Sequence, residues 1–320
     1  MNADGFNALA LVAALSLATL GALWIDPTSG LRSMEAIEKD YFAAPPSVVF
    51  DARGGKVPVG AYPRIASLNT VADHILLQLV EPERLVAVTK HTREEHPEGW
   101  RFGGRVGLPD SRDTEAVLAV QPDLVIASKF SDEAYMARLR EAGIRVFDLG
   151  DMRGITTTRQ NILTLGRLLA VEDRAERLRE AFDRRAAALE AAVDDEEKPS
   201  GLYLTVVGDA WFGGTAGSSH ADVLRLAGVR DLAAEHGYRN WPQYSPEQLL
   251  AMEPNLVITR EGMGDILCAH EALDRLPACG PEGTIVEIDS AYDSDPGLGL
   301  LEAAARTQAL IHPGVGRGDS

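Results

Sequence analysis

A chain of 320 residues, 45% apolar and 25% charged, is too apolar for a disordered polymer and long enough for two lobes or one large α/β unit. Thirty-one Lys and Arg against 48 Asp and Glu leave a formal net charge of −17, which argues against DNA or RNA as a partner, since a nucleic-acid binder presents a basic face. Two cysteines exclude a disulfide-stapled mini-domain and a Cys-based structural zinc site.

The first element is the run from Ala8 to Ile25, with no charge between Asp4 and Asp26. Eighteen residues make a helix of roughly 27 Å, close to a bilayer core of about 30 Å. Residues 1–30 are therefore expected to be an export signal or a membrane anchor, placing the rest outside the cytoplasm. No Cys follows the run, which excludes a lipoprotein anchor.

VVFDARGGKVPV, from Val48, predicts a hairpin turning at Gly54-Gly55. RIASL (Arg64 to Leu68) predicts a strand, VADHILLQLV a helix, and LVAV at Leu85 a second strand. Thr89 to Arg105 reads as a long polar loop. DLVIAS, at Asp123, is a continuous apolar run, as in strands buried on both faces. A helix ending at Gly143 and the strand IRVFDLG complete a first lobe over residues 48–150. Strands alternating with helices imply a parallel sheet.

From Val171 to about Asp195 the spacing predicts one long helix, with Ala175, Leu178, Phe182, Leu189 and Val193 on its apolar side. It forms most of a linking helical segment over 157–197. A second lobe, 199–313, then reads as strand LYLTVV, a Gly-rich loop DAWFGGTAG, helix HADVLRLAG, strands NLVITR and TIVEID, and a closing helix GLLEAAARTQALI.

An internal repeat relates the lobes. EAVLAVQPDLVIA from Glu115 and EQLLAMEPNLVIT from Glu247 agree at seven of thirteen positions, 132 residues apart. Each reads as a short helix, a proline that stops it, and a buried strand. The expected architecture is α/β: two similar lobes with parallel-rich sheets, joined by one long helix, with a ligand cleft between them.

The export segment, RIASL with its acidic helix, the paired repeat segments and WPQYSPEQLLAMEPNLVIT (Trp241 to Thr259) resemble the helical-backbone substrate-binding proteins of ABC importers. The resemblance covers about residues 48–313 and is closest to the cobalamin-binding members. It implies a periplasmic or extracytoplasmic monomer without catalytic activity or resident cofactor. Such a protein captures a corrinoid, ferric siderophore or haem and delivers it to a permease and its ATPase. By motif position, Glu115 and Glu247 are the carboxylates that dock on the permease.

Flat, partly apolar ligands of this kind want aromatic faces and a few polar anchors. Trp241 precedes Pro242 at the loop opening the second repeat, and the resemblance places its counterpart in the cleft. It does the same for Phe212, beside which Trp211 stands. Trp100 in the first lobe, Tyr292 near the C-terminus and Asn69 directly after RIASL complete the expected ligand contacts. The cobalamin binders' tryptophan ahead of the first docking Glu is Pro109 here. Cys268 and Cys279, eleven residues apart, are expected to form a disulfide in an exported protein.

Other functions have specific requirements. G-x-S-x-G, H-E-x-x-H and P-loop motifs are absent from the sequence, and no enzyme is expected. A manganese or zinc receptor would need His91, His96 and His220 to meet Asp293. An anchored sensor on the same fold is a further alternative. The terminal Arg317-Gly318-Asp319-Ser320 resembles an adhesion motif, but in a Gly-rich tail it is read as chance.

Overall fold

The computed structural model describes residues 47–109, 113–193 and 198–313. The apolar segment 8–25 and the terminal Arg317-Gly318-Asp319-Ser320 lie outside the described residues. No described helix is long and apolar enough to cross a membrane.

The first lobe opens with the hairpin of β1 (Val48–Phe50) and β2 (Lys56–Pro58), where Val49 lies opposite Val57. Gly54 at φ 83° makes the turn, and the Asp51 carboxylate accepts hydrogen bonds from the Arg53 and Gly55 amides. There follow β3 (Ile65–Ser67), α1 (Thr70–Leu79), β4 (Leu85–Thr89) and β5 (Val106–Leu108). Then come α2 (Thr114–Ala119), β6 (Leu124–Ala127), α3 (Glu133–Glu141) and β7 (Arg145–Asp148). The five strands from β3 onward form one parallel sheet in the order β5-β4-β3-β6-β7. In β6, Leu124 and Ile126 enter one apolar cluster while Val125 and Ala127 enter another. That explains its unbroken apolar sequence: both sheet faces are covered.

The expected polar loop from Thr89 to Arg105 is more ordered than its composition indicates. It holds a wide helical turn (His91–Glu95) and a 3-10 turn (Gly99–Phe102), and Phe102 is fully buried.

The linking segment is a pair of helices, α4 (Ile155–Leu168) and α5 (Glu172–Ala191), and α5 ends four residues before the expected Asp195. They touch at Gly166, where a Cβ would stand 2.1 Å from the Ala175 Cβ. The longer helix, roughly 30 Å of it, engages both lobes. Near its start Arg174 donates to the Leu79 carbonyl at 3.1 Å and pairs with Glu81 at 2.7 Å. Towards its end Arg185 pairs with Glu302 at 2.7 Å, and the Leu189 carbonyl accepts from the Gln308 amide at 2.8 Å.

The second lobe comprises β8 (Ser200–Tyr203), β9 (Thr205–Val207), β10 (Ala210–Phe212), α6 (Ser219–Leu226), β11 (Arg230–Asp231) and α7 (Leu232–Glu235). It continues through β12 (Gln243–Tyr244), α8 (Pro246–Met252), β13 (Leu256–Arg260) and α9 (Gly264–Ala269). It closes with β14 (Thr284–Ile288), α10 (Ser290–Asp293) and α11 (Leu300–Ile311). Its main sheet is parallel, in the order β11-β8-β13-β14. LYLTVV is not one strand: it divides between β8 and β9, and β9 joins β10 and β12 in a separate antiparallel sheet. The segment DAWFGGTAG therefore contains a strand. Trp211 pairs with Val206 on one side and Tyr244 on the other, so its backbone is satisfied inside a sheet despite the glycines around it.

The repeat is structural as well as sequential. Asp113 and Ser245, each two residues before its glutamate, cap their helices by accepting from the Ala116 and Gln248 amides. Gln121 and Glu253, immediately before the prolines, have φ of 47° and 48°. A left-handed residue ends each helix, and the proline after it prevents another turn. One cluster of buried side chains runs from α1 through α4 and α5 to α11, so the two lobes share part of their core. A disulfide joins Cys268 in α9 to Cys279, with Cα atoms 5.5 Å apart.

Candidate functional site

Parallel sheets covered by helices bind ligands beyond the carboxyl ends of their strands, where loops and helix N-termini converge. In the first lobe that edge bounds a cavity of about 400 Å³. Leu68 and Asn69 follow β3, Thr89 ends β4, Leu108 ends β5 with Pro109 after it, and Ser128, Phe130 and Ser131 follow β6. Asn69 is also the N-cap of α1, its carbonyl oxygen accepting from the Ala72 amide at 3.0 Å. Asp132 caps α3, and the Tyr135 hydroxyl donates to the Asp113 carbonyl just ahead of α2. Among the described residues the polar lining is amide and hydroxyl with one carboxylate, that of Asp132, and it includes no lysine or arginine. A larger cavity of about 490 Å³ lies at the opposite ends of the same strands. There Arg64 holds the Val120 and Gln121 carbonyls and Arg105 those of Gly103 and Pro82, so its cations serve the backbone.

The corresponding edge of the second lobe carries a buried polar cluster behind an exposed ring. The Tyr203 hydroxyl donates to Asp293 Oδ2 at 3.0 Å, His220 Nε2 lies 3.2 Å from Oδ1, and Arg260 Nε donates to Oδ2 at 3.3 Å. Burial pushes the Asp293 carboxyl up, but its contacts with His220, Tyr203 and Arg260 outweigh that and hold it below the usual carboxylate range. Tyr203 moves the other way, raised by burial and by the same carboxylate. The Tyr203 and His220 rings stack with centroids 3.7 Å apart, and Trp241 stands edge-on to both, at 5.9 and 4.9 Å. Trp241 is 47% exposed, so its ring covers the cluster and remains available from outside.

The lobes meet at His96 and Tyr292, whose rings pack edge to face at 5.3 Å. His74 packs on His96 at 4.7 Å, and Phe102 packs on His74 at 5.4 Å. On the other side the Arg306 guanidinium lies over Tyr292 at 4.6 Å. Burial depresses both imidazoles, His74 to about 4.

The residues expected to touch ligand thus occupy different places. Asn69 lines the first-lobe cavity, and Trp241 presents an open ring at the second-lobe edge. Tyr292 is buried in the contact between lobes. Phe212 is half-buried in β10. Trp211, 4% exposed, belongs to the second-lobe core and packs on His270. Trp100, 77% exposed, is absent from the cavity lining and sits on the segment that returns from β4 to β5. Glu115 and Glu247 are exposed at the N-termini of α2 and α8. The histidines do not assemble with Asp293 as a set: His91 faces Glu95 at 3.0 Å and His96 faces Tyr292. Among the described residues no group of three His, Cys, Asp or Glu is placed to hold a metal ion.

Sequence reasoning missed Thr89, Ser128, Phe130 and Tyr135 in the first lobe and the Tyr203–Arg260 pair in the second. Their signal is positional. Thr89, Tyr203 and Arg260 are last residues of strands, and Ser128 directly follows one.

A family model described as periplasmic binding protein matches residues 65–292. Proteins named cobalamin-binding protein in two strains of Halobacterium salinarum are 25% identical over 272 residues, 82% of this chain and 73% of theirs. Among solved structures, the apo periplasmic heme-binding protein RhuT from Roseiflexus sp. RS-1 superposes with a TM-score of 0.65 at 22% identity, over 78% of this chain and 100% of that one. The periplasmic heme-binding protein HutB of Vibrio cholerae gives 0.67 at 23%, covering 78% and 99%. The periplasmic vitamin B12 binding protein BtuF of Vibrio cholerae gives 0.61 at 20%, covering 79% and 97%. These structural likenesses carry the fold.

Proposed function

The chain belongs to the periplasmic binding protein family, and from that premise we propose that it is the extracytoplasmic substrate-binding component of an ABC importer, holding a cobalamin-like corrinoid between its lobes. The observation that carries the ligand is the chemistry of the first-lobe cavity. A corrin ring is broad and flat, and its rim carries neutral amides. Asn69, Thr70, Thr89, Ser128 and Ser131 offer such a rim neutral donors and acceptors, and the one charged group among the described lining residues, Asp132, is an anion. Haem and most ferric chelates bring carboxylates or catecholates, which call for cations. Among the described residues Arg260, at the second-lobe edge, could serve such an anion, and its guanidinium is engaged by Asp293. The name of the Halobacterium relatives supports the same ligand.

Trp241 supplies the aromatic face opposite this rim, with Phe212 beside it. Glu115 and Glu247, on matched capped helices of the two lobes, dock on the permease, whose ATPase drives transport. The shared core keeps opening small. The segment 8–25 exports or anchors the chain, and the disulfide supports an oxidising compartment.

Cyanocobalamin affinity of Asn69→Ala and Trp241→Ala tests the placement. Each is expected to weaken binding about tenfold, on the order of one hydrogen bond or one stacked ring. Unchanged affinity in both variants, with binding intact, would remove the ligand from this cleft.

A further inference from the structure

Below the cavity wall lies a titratable group to which ligand capture assigns no part. Asp73, on α1, is 0% exposed, and no cation pairs with it among the described residues. A buried carboxylate without a counter-charge is costly, so the contacts it keeps are informative. Its Oδ2 accepts from the Thr89 amide at 3.1 Å and from the Thr89 hydroxyl at 2.7 Å. The Asp73 amide donates to the Asn69 carbonyl at 2.9 Å. Thr89 and Asn69 both line the cavity, Thr89 at the end of β4 and Asn69 just after the neighbouring strand β3. One residue therefore ties together two parts of the wall.

We propose that Asp73 is the positioning residue of this cavity, a proton-dependent strut that holds the Thr89 wall in one arrangement when ionised and another when protonated. The inference rests on the cleft being the ligand site. An ionised carboxylate only accepts, so it draws in both the N–H and the O–H of Thr89. Taking up a proton from solvent adds a donor. The acid then donates to Thr89 Oγ1, whose own hydrogen turns to another acceptor. Thr92, whose amide donates to Thr89 Oγ1 at 3.2 Å, carries the change into the turn after β4.

Ser67 of β3, Thr89 of β4 and Thr92 of the turn stand around the Asp73 carboxyl and favour its ionised form. Among the described residues Thr89 alone hydrogen-bonds it and its Oδ1 has no partner, and burial outweighs the polar groups to lift it to about 7. His74, next on the helix, and His96, beyond the turn, are depressed by burial and titrate at lower pH. Lys90 and His91 of the turn pair with Glu94 and Glu95. On the helices packed against α1, Arg159 pairs with Asp183 and Arg174 with Glu81. The loop packed on Val71 of α1 at Gly297 carries Asp295, a second buried carboxyl that burial also raises and that accepts from the Gly297 and Gly299 amides.

The test follows the Thr89 backbone amide by NMR in the intact protein, and in parallel the cyanocobalamin affinity, across the neutral range. In the wild type the amide shift should titrate near neutrality and affinity should change by about fivefold or more. Asp73→Asn, which keeps the shape and removes the proton equilibrium, should flatten both profiles. Thr89→Val, which removes the hydroxyl but keeps the volume, should flatten the affinity profile and serves if Asp73→Asn does not fold. Affinity profiles that run parallel in wild type and variants overturn the proposal, as does a wild-type amide that does not titrate. If the amide titrates but cyanocobalamin binds at no pH, the corrinoid reading fails and the strut stands.

Discussion

His96 of the first lobe and Tyr292 of the second meet edge to face, ring centroids 5.3 Å apart, at one end of an aromatic row that runs back through His74 to Phe102. The row stays intact while its imidazoles are neutral, which burial favours.

The pH dependence of stability follows from the neighbours Asp73 and His74, which act in opposite directions. His74 falls from 6.5 to about 4 on folding, so its contribution is present above pH 6.5 and is lost as pH drops towards 4. Asp73 rises from 3.8 to about 7, so the folded state holds a proton that the unfolded state has released, and stability falls as pH rises from 4 to 7. Each amounts to at most a few kcal/mol. Relative to wild type, Asp73→Asn should gain stability as pH rises through this window and His74→Phe should lose it. Thermal unfolding of the three proteins from pH 4 to 8 reads the difference curves. Curves of the same sign contradict the assignment.

The bare backbone of Gly166 fixes how closely α4 and α5 approach. With a Cβ at 2.1 Å from that of Ala175, Gly166→Val must push the helices apart. A loss of about 2–3 kcal/mol is expected from overpacking, seen as a lowered denaturation midpoint with an unchanged slope. Gly143→Ala, where a Cβ meets nothing within 4 Å, tests a position that is strained only through its φ of 84°, and should cost less.

Much of the fold is legible in the sequence because its main signals are local. The buried runs of β6 and β13, the helical period of α5 and the two prolines of the repeat each follow from neighbouring residues. What stayed hidden depends on distant partners. β10 is only three residues long, Ala210 to Phe212, and runs straight into Gly213 and Gly214, so only its pairing with β9 and β12 makes it a strand. Trp211 beside those glycines resembled a ligand contact for the same reason. The site was less legible still. Asn69 could be placed from its position after a strand, but Thr89, Ser128, Tyr203 and Arg260 look ordinary until the strands align their ends.

The disulfide between Cys268 and Cys279 closes a short loop over α9 and the turn ahead of β14. Removing it with Cys268→Ser and Cys279→Ser should cost about 3 kcal/mol on loop-entropy grounds. Reductant should lower the melting temperature of the wild type and leave the double variant unchanged. Equal sensitivity of both proteins contradicts a stabilising role.

Docking and capture should separate. Glu115→Ala with Glu247→Ala alters two exposed carboxylates that line neither the cavity nor the Asp293 cluster. Uptake through the permease should be abolished while cyanocobalamin affinity stays within about twofold. Lost affinity, or undiminished uptake, contradicts the docking role.

The most direct measurement is ligand retention. The folded protein is incubated separately with cyanocobalamin, haemin and a panel of ferric siderophores, desalted, and read by absorbance with a calorimetric titration of whatever remains. The account predicts a stoichiometric corrin band, weakened by Trp241→Ala, and no comparable retention of the anionic chelates. Retention of haemin or a ferric siderophore in its place, with no corrin band, would contradict an amide-recognising cleft without a cation free for the ligand among the described residues.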